Sequence, residues 1–141
     1  MPRGRQAGKA VLARMLDLAK AARANAYAPY SRYKVGCCLR GESGRLFAGC
    51  NVENAAYPQG QCAEVSAVGA LVAAGDRRIL ECVVVGGAGA LISPCGGCRQ
   101  RLREFARPDL PIHLSGPRGI VRTVTLDALL PLSFGPDHLE S

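Results

Sequence analysis

The sequence predicts an α/β domain in which helices cover the faces of one mixed sheet, and three observations carry that expectation. Val11, Met15, Leu18 and Ala22 recur at helical spacing. Two strand-like runs flank Gly41-Glu42-Ser43-Gly44, and Val83-Val84-Val85 lies between two further helical segments. With 141 residues, 48% of them hydrophobic, the chain is long enough to bury a core without disulfide staples. A single domain over residues 1–141 is expected.

The elements follow in order. A first helix runs from about Arg5 to Ala26. Its basic residues, with Arg3, Arg5, Lys9, Arg14, Lys20 and Arg23 set against Asp17, have the charge of a targeting peptide, but the apolar stripe assigns the segment to the domain. Ala28-Pro29-Tyr30-Ser31 breaks it. Tyr33 to Arg40 and Arg45 to Val52 form a hairpin whose glycines permit φ > 0. A helix starts near Cys62 and ends near Ala74, with Gly75 as its left-handed cap. Glu81 to Gly86 is a buried strand. Pro94 opens the next helix and makes Ser93 its N-cap. Short strands follow near Ile112 and Val124. Gly86-Gly87-Ala88-Gly89-Ala90 lacks the Lys-Ser/Thr of a phosphate loop and reads as a flexible turn.

Cys62-Ala63-Glu64 and Pro94-Cys95-Gly96-Gly97-Cys98 say most about function. Together they offer three thiolates to a metal and one carboxylate that is not needed as a ligand. Three soft sulfurs suit Zn²⁺, one ion per chain, and a site with three protein ligands keeps a fourth position for water, whereas structural zinc is closed by four. On zinc, the pKa of water falls from about 15.7 to about 7. Glu64 is then a proton shuttle, taking a proton from that water, passing it to a ring nitrogen and protonating a departing amine. The chemistry is hydrolytic deamination of a heterocycle.

Spacing constrains how these residues meet. Cys95 and Cys98 share a helix face at about 5–6 Å between Cβ atoms. Cys62 and Glu64 diverge on a regular helix, so Cys62 must stand at its first, non-helical position. Both helix N-termini then point positive dipole ends at the sulfurs and offset part of the negative charge of three thiolates.

The motif is the signature of zinc deaminases. With Asn51-Val52-Glu53-Asn54-Ala55-Ala56-Tyr57, Ser93-Pro94-Cys95-Gly96-Gly97-Cys98-Arg99-Gln100 and Ser133-Phe134-Gly135-Pro136, the chain resembles the small homotetrameric cytidine deaminases from its first helix to Leu139. The resemblance implies a five-stranded mixed sheet in three α/β/α layers. It also implies deamination of cytidine and deoxycytidine to their uridine products, in pyrimidine salvage. Cys62, Cys95 and Cys98 are the implied zinc ligands and Glu64 the catalytic residue. Asn51 and Glu53 correspond to ribose-binding positions, and Tyr33 to a residue that packs on the pyrimidine, its hydroxyl then meeting water. Tyr57 and Phe134 correspond to residues that approach a neighbouring subunit's pocket, so a homotetramer with shared sites is implied. One departure stands out. Many relatives with three cysteines carry an arginine after the catalytic glutamate, and this chain has Val65, which leaves Arg99, backbone amides or Gln61 to neutralise the thiolates.

Other readings are set beside this one. A structural zinc site lacks a fourth ligand at metal-motif spacing, and Cys62-x-Glu64 argues against a redox role for Cys95 and Cys98. Cys37, Cys38, Cys50 and Cys82 read as small core residues, and an odd total of seven cysteines with no secretory signal fits a reducing cytoplasm. His113, between Ile112 and Leu114, reads as a strand histidine, and His138 as solvated or at a subunit contact. Charges interrupt the N-terminal segment too often for a membrane span. A net charge of +7 raises a nucleic-acid-directed cytosine deaminase or a nucleic-acid-binding module as an alternative, but 5% aromatic residues and no tryptophan leave little to stack bases, so this reading ranks below a small nucleoside substrate. Within the same chemistry, a deaminase of a nucleoside antibiotic such as blasticidin S is the nearest alternative. A zinc-stabilised interaction protein without catalysis is the third.

Overall fold

A computed structural model describes residues 6–139. Five strands form one mixed sheet: β1 (Gly36–Gly41), β2 (Leu46–Cys50), β3 (Ile79–Val85), β4 (Pro111–Gly116) and β5 (Gly119–Thr125). Their spatial order is β2-β1-β3-β4-β5, with β3 and β4 parallel and every other pair antiparallel. Among the described residues four α-helices surround it: α1 (Lys9–Ala24), α2 (Ala63–Ala73), α3 (Gly96–Phe105) and the short α4 (Leu126–Leu129). The hairpin between β1 and β2 turns with Gly44 at φ 87°, and α2 ends with Gly75 at φ 102°, as the sequence requires.

Strand alternation sorts the core into two layers. Cys37, Leu39, Cys82 and Val84 face one way and pack with Ala63, Ala67 and Leu71 of α2 and Leu102 of α3. Cys38, Val83 and Val85 face the other way and pack with Met15 and Ala19 of α1. The expected α/β/α layering is therefore present. A register shift between Arg40 and Gly41 puts Ile79 on the same side as Cys82, because a bulge adds one residue and resets the parity of the strand.

The first helix departs from expectation in bounds and in phase. It begins at Lys9, and Arg3 and Arg5 lie outside the described residues. Its inward stripe is Leu12, Met15, Leu16, Leu18 and Ala19, so Met15 and Leu18 face the core as the sequence suggested, while Val11 is exposed. The physical cause is Gly36, where a Cβ would lie 1.9 Å from the Ala19 carbonyl oxygen, so α1 crosses β1 backbone to side-chain-free backbone with Ala19 at the crossing. A second close approach seats α2. At Gly49 of β2 a Cβ would stand 2.4 Å from the Ala67 amide nitrogen and 2.7 Å from the Ala63 carbonyl oxygen.

The α1 face of the sheet also buries a polar network. Glu81 is 1% exposed. It accepts from Arg40 Nη2 at 2.9 Å and from the Ala7 backbone N–H at 2.9 Å, and it pairs with His113 Nε2 at 2.6 Å. His113 Nδ1 lies 2.7 Å from Thr123 Oγ1, which confirms His113 as a strand histidine. Burial pushes the Glu81 carboxyl up, yet bonding to His113, Ala7 and Arg40 outweighs it and brings the pKa to about 2. The unfolded chain, with an ordinary glutamate near 4.3, therefore binds a proton first as acid is added. Stability from this group is whole above about pH 4.5 and is lost as pH falls toward 2, a loss of about 3 kcal/mol. Urea midpoints recorded between pH 6 and 2 are expected to fall more steeply for the parent than for Glu81→Gln, and parallel curves would refute the assignment.

Candidate metal and catalytic site

The N-termini of α2 and α3 meet beneath the same end of the sheet and bring the two cysteine motifs together. Cys62 is the N-cap of α2, extended at φ −73°, ψ 159°, as the two-residue spacing to Glu64 demands. Cys95 is the N-cap of α3, also extended, so Ser93 does not cap that helix as the sequence suggested. Gly96 opens α3 instead, and the Ser93 hydroxyl accepts from Arg99. Because Cys95 precedes the helix and Cys98 lies in its first turn, the pair converges through a helix start and not along one regular face.

The three sulfurs all lie within 4.8 Å of one another, with Cys62 and Cys95 Sγ 3.8 Å apart. A tetrahedral centre with Zn–S bonds of about 2.3 Å requires sulfurs about 3.8 Å apart, so the group fits zinc. Cys95 is exposed, Cys62 half-buried and Cys98 buried. All seven cysteines are free thiols, and Cys37, Cys38 and Cys82 are buried core residues as expected, while Cys50 is half-buried.

Electrostatics distinguishes the sulfurs. Burial pushes the Cys62 and Cys98 thiols up. Cys95 is lowered, chiefly because the Cys98 backbone amide faces its sulfur, although no capping hydrogen bond closes there. This backbone amide is one neutralising contact near the cysteines. Arg99 directs its hydrogen bonds to oxygens, the Pro94 and Leu129 carbonyls and the Ser93 hydroxyl, and Gln61 is exposed.

Glu64 follows Cys62 into the first turn of α2 and is 4% exposed. Burial raises its pKa, while its own backbone amide and the adjacent Cys98 thiol pull it down. A buried carboxyl whose pKa is raised, beside the Cys98 thiol, is placed to take up and give back a proton.

The remaining sequence-derived residues do not form one group. Asn51 Oδ1 accepts from the Val35 N–H at 2.8 Å, and its Nδ2 donates to the Tyr33 carbonyl at 2.8 Å, so the amide braces the extended segment leading into β1, which begins at Gly36 and not at Tyr33 as the sequence suggested. The Tyr33 hydroxyl accepts from the Gly87 N–H at 3.3 Å. The glycine-rich turn is thereby placed over the Tyr33 ring, with Gly86 against Tyr33 and Ile92.

Glu53 accepts from the Tyr30 and Ser31 backbone amides at 3.0 and 3.1 Å and from the Ser31 hydroxyl. The Ser31 hydroxyl is the main reason its pKa is lowered. Glu53 and Tyr57 share the wall of a cavity of about 380 Å³ with Tyr30, Ser31, Asn54 and Gly60, and the Tyr30 and Tyr57 rings meet edge to face at 5.8 Å. The three sulfurs and Glu64 are not among those walls. Phe134, 57% exposed, stacks on His138 at 5.3 Å, away from that cavity. Ser31 and Gly87 were missed from sequence. The break at Ala28-Pro29-Tyr30-Ser31 was the one available signal for the first, and the Gly86-Gly87-Ala88-Gly89-Ala90 turn was the signal for the second.

Sulfur ligands that leave a coordination position free, set beside a buried proton carrier, are the equipment of a metal-dependent hydrolase and not of a structural zinc site. Residues 10–114 match the family described as the cytidine and deoxycytidylate deaminase zinc-binding region. The chain belongs to this family. It is 37% identical over 126 residues to a cytidine deaminase of Sporosarcina psychrophila, spanning 89% of this chain and 93% of that one. Against a cytidine deaminase of Mycobacterium tuberculosis the identity is 44% over 119 residues, with 84% and 85% covered. Among solved structures, cytidine deaminase from Burkholderia pseudomallei matches with a TM-score of 0.81 at 44% identity, covering 86% of this chain and 98% of that one. Among the described residues, no helix is long and apolar enough to cross a membrane.

Proposed function

We propose that this chain is a zinc-dependent cytidine deaminase, hydrolysing cytidine and deoxycytidine to uridine and deoxyuridine with release of ammonia, in pyrimidine salvage. The observation that carries the reading is the three-sulfur group of Cys62, Cys95 and Cys98 with buried Glu64 against it. Zinc held by these sulfurs supplies a Lewis acid that makes solvent nucleophilic near neutral pH. Glu64 does the rest of the proton work. Its carboxylate accepts the proton of the attacking water, donates it to the ring nitrogen that gains electron density, and later returns a proton to the departing amine.

Asn51 and Glu53 are assigned to the ribose hydroxyls, and Tyr33 to the pyrimidine face. Glu53 supports this by standing in the cavity wall, and Tyr33 by a ring left 40% exposed while its hydroxyl is tethered. Tyr57 and Phe134, 76% and 57% exposed, are assigned to a neighbouring subunit's pocket in a homotetramer of single-domain chains over residues 1–141. Seven free thiols suit a reducing cytoplasm.

The test is a spectrophotometric assay of the purified protein with cytidine, deoxycytidine and blasticidin S, run with metal analysis and light scattering. Turnover of the two plain nucleosides by a tetramer holding one zinc per chain is expected. A zinc-loaded protein without turnover of either would refute the reading, and turnover of blasticidin S alone would move it to the antibiotic.

A further inference from the structure

We infer that Arg99 is a positioning residue for the metal, acting through the segment that presents Cys95. The inference rests on the zinc reading of Cys62, Cys95 and Cys98 proposed above. Of the three sulfurs, that of Cys95 has the least packing around it, because Cys95 is the exposed one. Gly96 and Gly97 follow it, and a Cβ at Gly96 would meet nothing within 4 Å. Two glycines with open space at the first of them give the backbone after the ligand a wide conformational range. Something other than core packing must hold this sulfur.

Arg99 supplies the restraint from three sides. Its Nε donates to the Pro94 carbonyl at 2.7 Å, Nη2 to the Ser93 hydroxyl at 2.9 Å, and Nη1 to the Leu129 carbonyl at the end of α4 at 2.7 Å. Its backbone N–H also bonds the Cys95 carbonyl at 3.0 Å. The two residues before the ligand and the ligand's own carbonyl are thus tied to one residue, which follows the next ligand, Cys98, directly. Leu129 anchors that residue to α4, whose start is fixed by the Thr125 side chain accepting from the Ala128 N–H. Each side-chain bond has a charged donor, so each is stronger than its neutral counterpart. A guanidinium is needed, since its planar fork reaches three acceptors in three directions and an ammonium is a point donor on a flexible stem.

The role is indirect, because the three side-chain hydrogen bonds of Arg99 end on oxygens. Supports of this kind, placed behind metal ligands, change metal affinity by about 10–100-fold when removed. Three readouts test it: the rate at which zinc passes to an excess of chelator, the absorption bands of the cobalt-loaded protein, and the melting temperature of the metal-free protein. Arg99→Ala is expected to speed zinc loss by about 10–100-fold and to shift the cobalt–thiolate bands, with Arg99→Lys recovering only part of the difference. Ser93→Ala removes one arm and leaves the guanidinium, so it is expected to shift the same readouts by less, and it reports even where Arg99→Ala does not fold.

Parent-like zinc release and cobalt bands in folded Ser93→Ala and Arg99→Lys would overturn the proposal. So would a lower melting temperature with unchanged bands, which is the mark of a purely structural arginine. If the parent protein takes up neither zinc nor cobalt, the three-sulfur reading itself fails, and that outcome is seen before any variant is made.

Discussion

Exchange of Glu64 for Gln is expected to lower kcat by about 10²–10⁴-fold while the protein keeps one zinc per chain. The amide has the shape of the carboxylate and none of its proton chemistry. Glu64 is 4% exposed and burial already works against its charge, so the neutral amide removes a desolvation cost and the fold is not expected to weaken. The three cysteines keep their positions, because Cys62 and Cys95 are placed by helix starts and Cys98 by the first turn of α3. Steady-state rates with cytidine, zinc content and melting temperature together decide the matter. Undiminished turnover by the Gln protein would remove Glu64 from the mechanism, and loss of zinc would show it to be structural.

The second large effect is expected at Cys98. Replacing it by Ala leaves two sulfurs, one of them exposed, and zinc content after dialysis is expected to drop to a small fraction of one ion per chain. Structural zinc held by four ligands is bound with about 10–16 kcal/mol, so a single ligand carries about 3 kcal/mol, or about 10²-fold in affinity. Deaminase activity should disappear with the metal. Cys82→Ala is the matched control, since Cys82 is equally buried but lies in the middle of β3 against Cys37, with Sγ atoms 3.9 Å apart. It is expected to cost about 1 kcal/mol of packing and to keep its zinc. Equal zinc loss in both variants would mean that the metal follows fold integrity and not the Cys98 sulfur. Zinc uptake is also expected to release protons, because burial holds the Cys62 and Cys98 thiols protonated before the metal arrives.

Much of the site was legible in the sequence because its constraints are local. Cys62 had to precede its helix, since residues two apart face different ways on a regular turn, and the structure puts it at the cap. Gly44 and Gly75 marked a turn and a helix end for the same kind of reason, as both sit at positive φ. What escaped was decided across the chain. The bonds from Tyr33 to Gly87, from Glu53 to Ser31 and from Arg99 to Leu129 join residues far apart in sequence, and no pattern within either segment encodes the meeting. The phase of α1 belongs here too. Its apolar residues offer several overlapping stripes, and the bare backbone of Gly36 selects the one containing Ala19. Ser93 is not the cap because α3 opens at Gly96, two residues later than Pro94 suggested, which puts Cys95 at the capping position.

Gly49 sets a boundary on how this enzyme can be altered. The first turns of α2 rest on that residue main chain against main chain, so the level of Glu64 relative to the sheet is a backbone dimension with no side chain available to adjust it. Attempts to admit bulkier bases therefore have little to work with in the hairpin floor. The walls not tied to α2 in this way are those of the cavity, where Tyr30 and Tyr57 present exposed rings on loop segments.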